Sequence, residues 1–269
     1  MRYTNADLQF LARVIGQGDV RAAGAHLRRW RADPAQVDAW TDDRRVMAAL
    51  MADNPTIVEL SPRFLFTVLL RAIRADLATV PYTVERVDSG GRLVVFDAGI
   101  VHELLAVDEM FNYLVELLVS FERAETLTVR RTHPSRDLRR LHTHSIDDMM
   151  ELAGLVEASL RPTVFRRIGD IALFTTGLFP DAVRRVPRRP LASTLARPTL
   201  QRRWRLEDYE DEGRRFYRLA ADLLTGSQPA LARVLARLAD DFVIARKPLA
   251  VLADRYVAWA RPHWRQTPS

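Results

Sequence analysis

The stretch FRRIGDIALFTTGLFP, residues 165–180, decides the fold. Apart from one acid and the two arginines at its start, its residues are apolar or small on nearly every side. A helix that is apolar all round is normally buried in the centre of a fold. Pro162 separates it from the preceding helix and Pro180 marks its end, while Gly169 and Gly177 permit close packing by neighbouring helices. We therefore predict a central buried helix here.

Helical periodicity continues on both sides of this central helix. Apolar residues recur at three- and four-residue spacing in short segments up to residue 80, and residues 100–125 have the pattern of one long amphipathic helix. Residues 82–96 differ, because apolar and polar residues alternate there about a turn at Gly90 and Gly91. We predict an all-α fold, a helical array or bundle, with a small β-hairpin insertion near residues 82–96.

Three more helical patterns follow the central helix, at residues 200–224, 229–247 and 248–264. We expect an N-terminal helical domain of residues 1–181 that carries the β-hairpin, a basic proline-containing linker of residues 182–200, and a C-terminal three-helix hairpin of residues 201–269. In the alternative arrangement, the C-terminal helices pack on the first domain and the two form one unit.

The composition excludes several functional classes. The chain has no cysteine, which excludes a disulfide framework, a thiolate metal site and a cysteine nucleophile. No apolar run reaches the roughly 20 residues that span a bilayer, so we expect a cytoplasmic protein without membrane contact. The sequence contains no G-x-S-x-G, G-x-G-x-x-G or Walker A motif. We therefore assign no catalytic residue, no metal ligand and no cofactor.

Positive charge is concentrated towards the C-terminal end. Residues 1–183 contain 22 arginines and 25 acidic residues, whereas residues 184–269 contain 18 basic and 9 acidic residues. Much of this excess lies between Arg184 and Arg205, called the basic segment below, which has eight arginines and no acid. We predict contact with a nucleic acid or an acidic protein through Arg184, Arg185, Arg188, Arg189, Arg197, Arg202, Arg203, Trp204 and Arg205.

A second interpretation of the basic segment is structural. Its three prolines favour an extended tether between helices. Five acids between Glu207 and Glu212 lie within one helical turn of neighbouring arginines, so ion pairs on the same helix face can neutralise much of the charge. In the binding interpretation, bases would stack on the nearby aromatic residues, which are Trp204, Tyr209, Phe216 and Tyr217. Both interpretations stay open at the level of sequence.

Half of the chain's six histidines lie in RRTHPSRDLRRLHTHSIDD, residues 130–148. Imidazole rings with a nearby carboxylate are the donors of many metal sites, and arginines bind phosphate through paired donors. This secondary candidate for an anion or metal site consists of His133, His142, His144, Arg139 and Arg140. The alternative is a polar connector whose arginines pair with acids of the following helix.

Asp170 is the one acid within the apolar part of the central helix. A buried carboxylate is costly unless it is paired. Arg166 and Arg167 precede it by four and three residues, which is the spacing of neighbours on one helix face. We predict a structural ion pair at Asp170.

These features favour a non-enzymatic binding or regulatory protein over an enzyme. Its basic C-terminal surface would contact a nucleic acid or an acidic protein, and a homodimer through an apolar helix face is a further expectation. One alternative is a metal- or phosphate-dependent hydrolase that uses His133, His142 and His144. Another is a structural adaptor in a protein assembly.

Overall fold

A computed structural model describes residues 3–17, 19–32, 35–52, 59–86, 91–122, 126–130, 138–184 and 204–257. The chain divides into two compact units. The first consists of residues 1–82 and 96–122, and the second of residues 83–95 and 123–269. The all-α fold class with a hairpin near residues 82–96 is confirmed. No helix within the described ranges is long and apolar enough to cross a membrane.

The first unit consists of helices around an apolar core. They are α1 (Asn5–Ile15), α2 (Val20–Ala32), α3 (Ala35–Trp40), α4 (Arg44–Met51), α5 (Pro62–Leu77), α6 (Ala98–Ala106) and α7 (Asp108–Ser120). Trp30 and Phe64 are fully buried in the core. The buried carboxylate of Asp7 joins α1 to the start of α5, because Ser61 donates to it from its backbone N–H at 2.8 Å and from its hydroxyl at 2.6 Å.

The second unit combines two β-hairpins with helices. Its strands are β1 (Thr83–Arg86), β2 (Arg92–Val95), β3 (Thr126–Arg130) and β4 (Leu138–His142). Its helices are α8 (Ile146–Leu155), α9 (Arg161–Leu178), α10 (Pro180–Arg184), α11 (Leu206–Leu224), α12 (Pro229–Asp240) and α13 (Phe242–Leu252), and a π-helical turn, Ala253–Val257, follows α13. The strands pair antiparallel, Thr83 with Val95 and Thr126 with His142 at the hairpin ends.

The predicted central helix is α9, and its buried position is confirmed. It packs against α11 and α13, and glycines allow the helices to approach closely. A Cβ atom on Gly169 would lie 2.6 Å from the ring of Tyr217 in α11. A Cβ atom on Gly177 would lie 2.6 Å from the Cβ atom of Leu249 in α13. The sequence of α9 therefore sets the separation of the helices that surround it.

Three local predictions need correction. The single helix expected over residues 100–125 is two helices, because Val107 is extended (φ −79°, ψ 112°) and the acids that follow it favour a new helix N-terminus. β3 and β4 form a second hairpin that the sequence analysis does not predict, in line with the β-branched residues of TLTVR. Pro248 does not begin a helix but lies inside α13, since the break comes at Asp241.

Candidate functional site

The basic segment joins α10 to α11 within the second unit. Arg184 is the last residue of α10, and Arg205 directly precedes α11. Arg205 is exposed, and its backbone N–H donates to the carboxylate of Asp208 at 2.8 Å. The other arginines of the segment lie outside the described residues, namely Arg185, Arg188, Arg189, Arg197, Arg202 and Arg203. Their binding role stays a prediction from the sequence.

Trp204, the aromatic residue of the basic segment, is buried at 6% exposure. Its indole Nε1 donates to Oδ1 of Asp147 in α8 at 3.1 Å, and its ring contacts Tyr209 at a centroid distance of 5.6 Å. Burial, reinforced by the charge of Asp147, raises the pKa of Tyr209. Phe216 and Tyr217 are also buried. Stacking on a base requires an exposed ring face, so the geometry does not support it for Trp204, Phe216 or Tyr217.

The helices after the basic segment carry no excess of positive charge. Residues 206–257 contain eight basic and nine acidic residues. Arg215 pairs with Glu212 at 3.0 Å, Arg218 with Asp240, and Arg237 with Asp241. The positive excess of the C-terminal part is therefore confined to the basic segment and to residues 258–269, which add two arginines.

The histidine cluster lies partly on the second hairpin. Arg139 and Arg140 are in β4, and the exposed His142 ends that strand. His144 is half-buried in the turn before α8, while His133 lies outside the described residues. Among the residues that the structure describes, no three His, Cys, Asp or Glu side chains are grouped to hold a metal ion. The full candidate set, which includes His133, therefore stays a prediction from the sequence.

Asp170 has the ion pair that the sequence predicts and one partner that it does not. Nε of Arg166 lies 3.6 Å from Oδ2 of Asp170, at the i, i+4 spacing. The Tyr217 hydroxyl donates to Oδ1 of Asp170 at 2.9 Å. Arg167 instead donates to the carbonyl oxygen of Thr143 at 2.9 Å. Because Asp170 and Tyr217 are both buried, this network links α9 to α11 in the core and has a structural role.

A cleft in the second unit brings together charged side chains that the sequence analysis did not connect. It is bounded by β1, by the end of α9 with the start of α10, and by α13 with the π-helical turn. Its polar lining consists of Thr83, Glu85, Thr176, Arg246, Lys247 and Asp254. The space inside it is about 30 Å³, enough for one or two water-sized groups.

Two cations of this cleft share one carboxylate. The Lys247 side chain is 5% exposed and the Arg246 side chain 9% exposed. Nζ of Lys247 lies 2.5 Å from Oε1 of Glu85 and 3.4 Å from the hydroxyl oxygen of Thr83. Nη2 of Arg246 lies 3.5 Å from Oε2 of Glu85. These contacts fix β1 to α13.

Glu210, on α11, adds a second carboxylate next to Arg246. Nη1 of Arg246 lies 3.3 Å from Oε1 of Glu210. Burial raises the pKa of Glu210, and it outweighs the charges of Arg246 and Arg214, which lower it. Oε1 of Glu210 and Nε of Arg246 are both buried without a hydrogen-bond partner. Such atoms are uncommon in folded proteins.

One sequence signal points to the cleft. Lys247 is the only lysine among 40 basic residues. An ammonium group is a compact charge, unlike the planar guanidinium of the other basic side chains. Its partner Glu85 is 162 residues away in the chain, and nothing in the sequence links the two.

Comparison of the chain with protein-family models, with curated protein sequences and with solved structures found no match in any of the three.

Proposed function

We propose that this protein is a non-enzymatic, cytoplasmic binding protein whose basic segment contacts a nucleic acid. The charge distribution supports the proposal. The basic segment carries eight arginines and no acid, whereas residues 206–257 are nearly balanced and several of their arginines are paired. A polyanion would therefore be attracted to one segment rather than to the whole helical surface.

The chemistry of the segment favours phosphate as the group that is bound. Every cation in it is an arginine, whose planar guanidinium donates to two phosphate oxygens at once. Binding of this kind depends on phosphates and not on base edges, so it carries little sequence preference. The burial of Trp204 supports the same expectation, because its ring is not available to stack on bases.

A binding assay with matched variants tests this function. We would titrate the protein into fluorescent RNA and DNA oligonucleotides at low salt and follow their anisotropy. The test variant replaces Arg188, Arg189, Arg202 and Arg203 with Ala. The control variant replaces four exposed arginines of α11 and α12 with Ala, namely Arg215, Arg218, Arg233 and Arg237. Both variants lose the same formal charge at different positions. The control variant also removes the ion-pair partners of Glu212, Asp240 and Asp241, so circular dichroism is used first to show that both variants are folded.

We expect the test variant to lose most of its affinity on every oligonucleotide and the control variant to bind nearly as the original protein does. Equal loss in both variants would mean that net charge alone attracts the nucleic acid. Saturable binding to polyglutamate, with none to RNA or DNA, would assign the basic segment to an acidic protein instead. Either result would refute the proposed function.

A further inference from the structure

The first hairpin, β1 with β2, is polar on the side that packs on α13 and apolar on the other side. On the packed side, Thr83 and Glu85 contact Lys247. On the other side, the register partners Val84 and Val94 are exposed. These alternate positions, residues 82, 84, 86, 92, 94 and 96, form the outer face. An antiparallel sheet normally leaves its polar side in water, so the reverse arrangement points to a binding surface.

Two exposed aromatic rings lie at one end of the outer face. Tyr82 directly precedes β1 and Phe96 directly follows β2, and their ring centroids are 6.4 Å apart in an edge-to-face contact. Phe96 is 78% exposed and Tyr82 is 42% exposed. A nucleic-acid base stacks on an accessible ring of this kind. Phe96 therefore provides the exposed ring that the buried Trp204 does not.

Two arginines occupy the other end of the outer face. Arg86 and Arg92 are register partners, so they lie at directly opposite positions of the two strands, and Arg92 is exposed. Like charges at opposite positions destabilise a sheet, and an anion bound beside them offsets the repulsion. None of the six positions of the outer face is acidic, and with Asp88 of the connecting residues counted the two arginines still leave one positive charge.

We propose that the outer face of the first hairpin binds a single-stranded nucleic acid, with a base stacked on Phe96 and a phosphate at Arg92. Phe96 is four residues beyond Arg92, about 13 Å along the strand, so a short stretch of nucleic acid spans both. The arginines favour this ligand over an apolar peptide, which would leave their charge unpaired. The inference rests on the proposed function and narrows it to single strands, because the bases of a duplex are stacked on each other and do not reach the ring.

Anisotropy titrations with oligouridine, oligothymidine and a DNA duplex test the proposal. Phe96→Ala should weaken binding to both single strands by about fivefold or more, leave duplex binding unchanged, and leave the salt dependence unchanged because no phosphate contact is lost. Arg92→Ala should instead reduce the slope of the salt dependence on single strands by about 0.7. Phe179→Ala is the matched control, since Phe179 is also exposed and also contacts one other ring, that of Phe174. It should bind as the original protein does.

A second measurement needs no variant. The original protein is irradiated with oligouridine that contains 4-thiouridine, and the crosslinked residues are identified by mass spectrometry. We expect crosslinks at Tyr82 or Phe96. The inference is overturned if no crosslink maps to residues 82–96, or if Phe96→Ala loses as much affinity for the duplex, or no more affinity for single strands, than Phe179→Ala does.

The basic segment separates this failure from failure of the proposed function. If Phe96→Ala binds single strands as the original protein does while the arginine-to-alanine variant of the basic segment loses affinity, the proposed function stands and the inference is wrong. An apolar protein segment would then be the partner of the outer face. If the original protein binds no oligonucleotide, both are wrong.

Discussion

The close contact between α11 and α13 at Gly213 makes a quantitative prediction. A Cβ atom at this position would lie 2.5 and 2.7 Å from two ring carbons of Phe242 and 2.9 Å from the Cβ atom of Ala172. Phe242 is fully buried, so its ring has no room to turn away. Overpacking a core of this kind costs up to about 3 kcal/mol, and Ala is favoured over Gly in a helix by about 1 kcal/mol. We therefore expect Gly213→Ala to lower the free energy of unfolding by about 2 kcal/mol.

Gly154 in α8 provides the control. It is exposed, and apart from its chain neighbours and the backbone of its own helix no atom lies within 4 Å of an added Cβ atom, so Gly154→Ala should raise the free energy of unfolding by up to about 1 kcal/mol. Urea unfolding followed by far-ultraviolet circular dichroism compares both variants with the original protein. The packing described for α9, α11 and α13 would be refuted if Gly213→Ala were as stable as the original protein while Gly154→Ala behaved as expected.

Two further predictions concern buried polar groups. Tyr217→Phe removes the hydroxyl that donates to Asp170, and we expect a loss of about 1–3 kcal/mol in urea unfolding; an unchanged midpoint would contradict the network. Because burial raises the pKa of Glu210, the folded state holds its proton more tightly than the unfolded state, so stability falls as the pH rises through the interval between the two pKa values. Glu210→Gln should therefore lack this fall. We expect the free energy of unfolding of the original protein, minus that of the variant, to be larger at pH 4 than at pH 8. A larger difference at pH 8 would contradict the direction of the pKa shift.

The fold class follows from local patterns that act over a few residues. The all-round apolar character of α9 predicts its burial, and the alternation about Gly90 and Gly91 predicts the first hairpin. Helix boundaries are less well predicted, because small conformational preferences decide them. Val107 illustrates this, since one extended residue divides a continuous apolar stripe into α6 and α7.

Two features of the candidate sites could be predicted from the sequence, and the cleft at Lys247 could not. The basic segment is visible in the sequence because charge is a property of composition. The pairing of Asp170 with Arg166 is also visible, because both lie on one helix. The cleft at Lys247 is not visible in the sequence, because Glu85 lies in a hairpin more than 160 residues away in the chain. Only tertiary packing brings Nζ of Lys247 to 2.5 Å from Oε1 of Glu85.

The salt dependence of nucleic-acid binding tests the central claim most directly. If the basic segment neutralises phosphates, the logarithm of the affinity falls linearly with the logarithm of the salt concentration, with a slope proportional to the number of phosphates contacted. Replacing Arg188, Arg189, Arg202 and Arg203 with Ala should reduce this slope by about 3, whereas the four replacements in α11 and α12 should leave it nearly unchanged. An equal slope in the original protein and the basic-segment variant would contradict the claim.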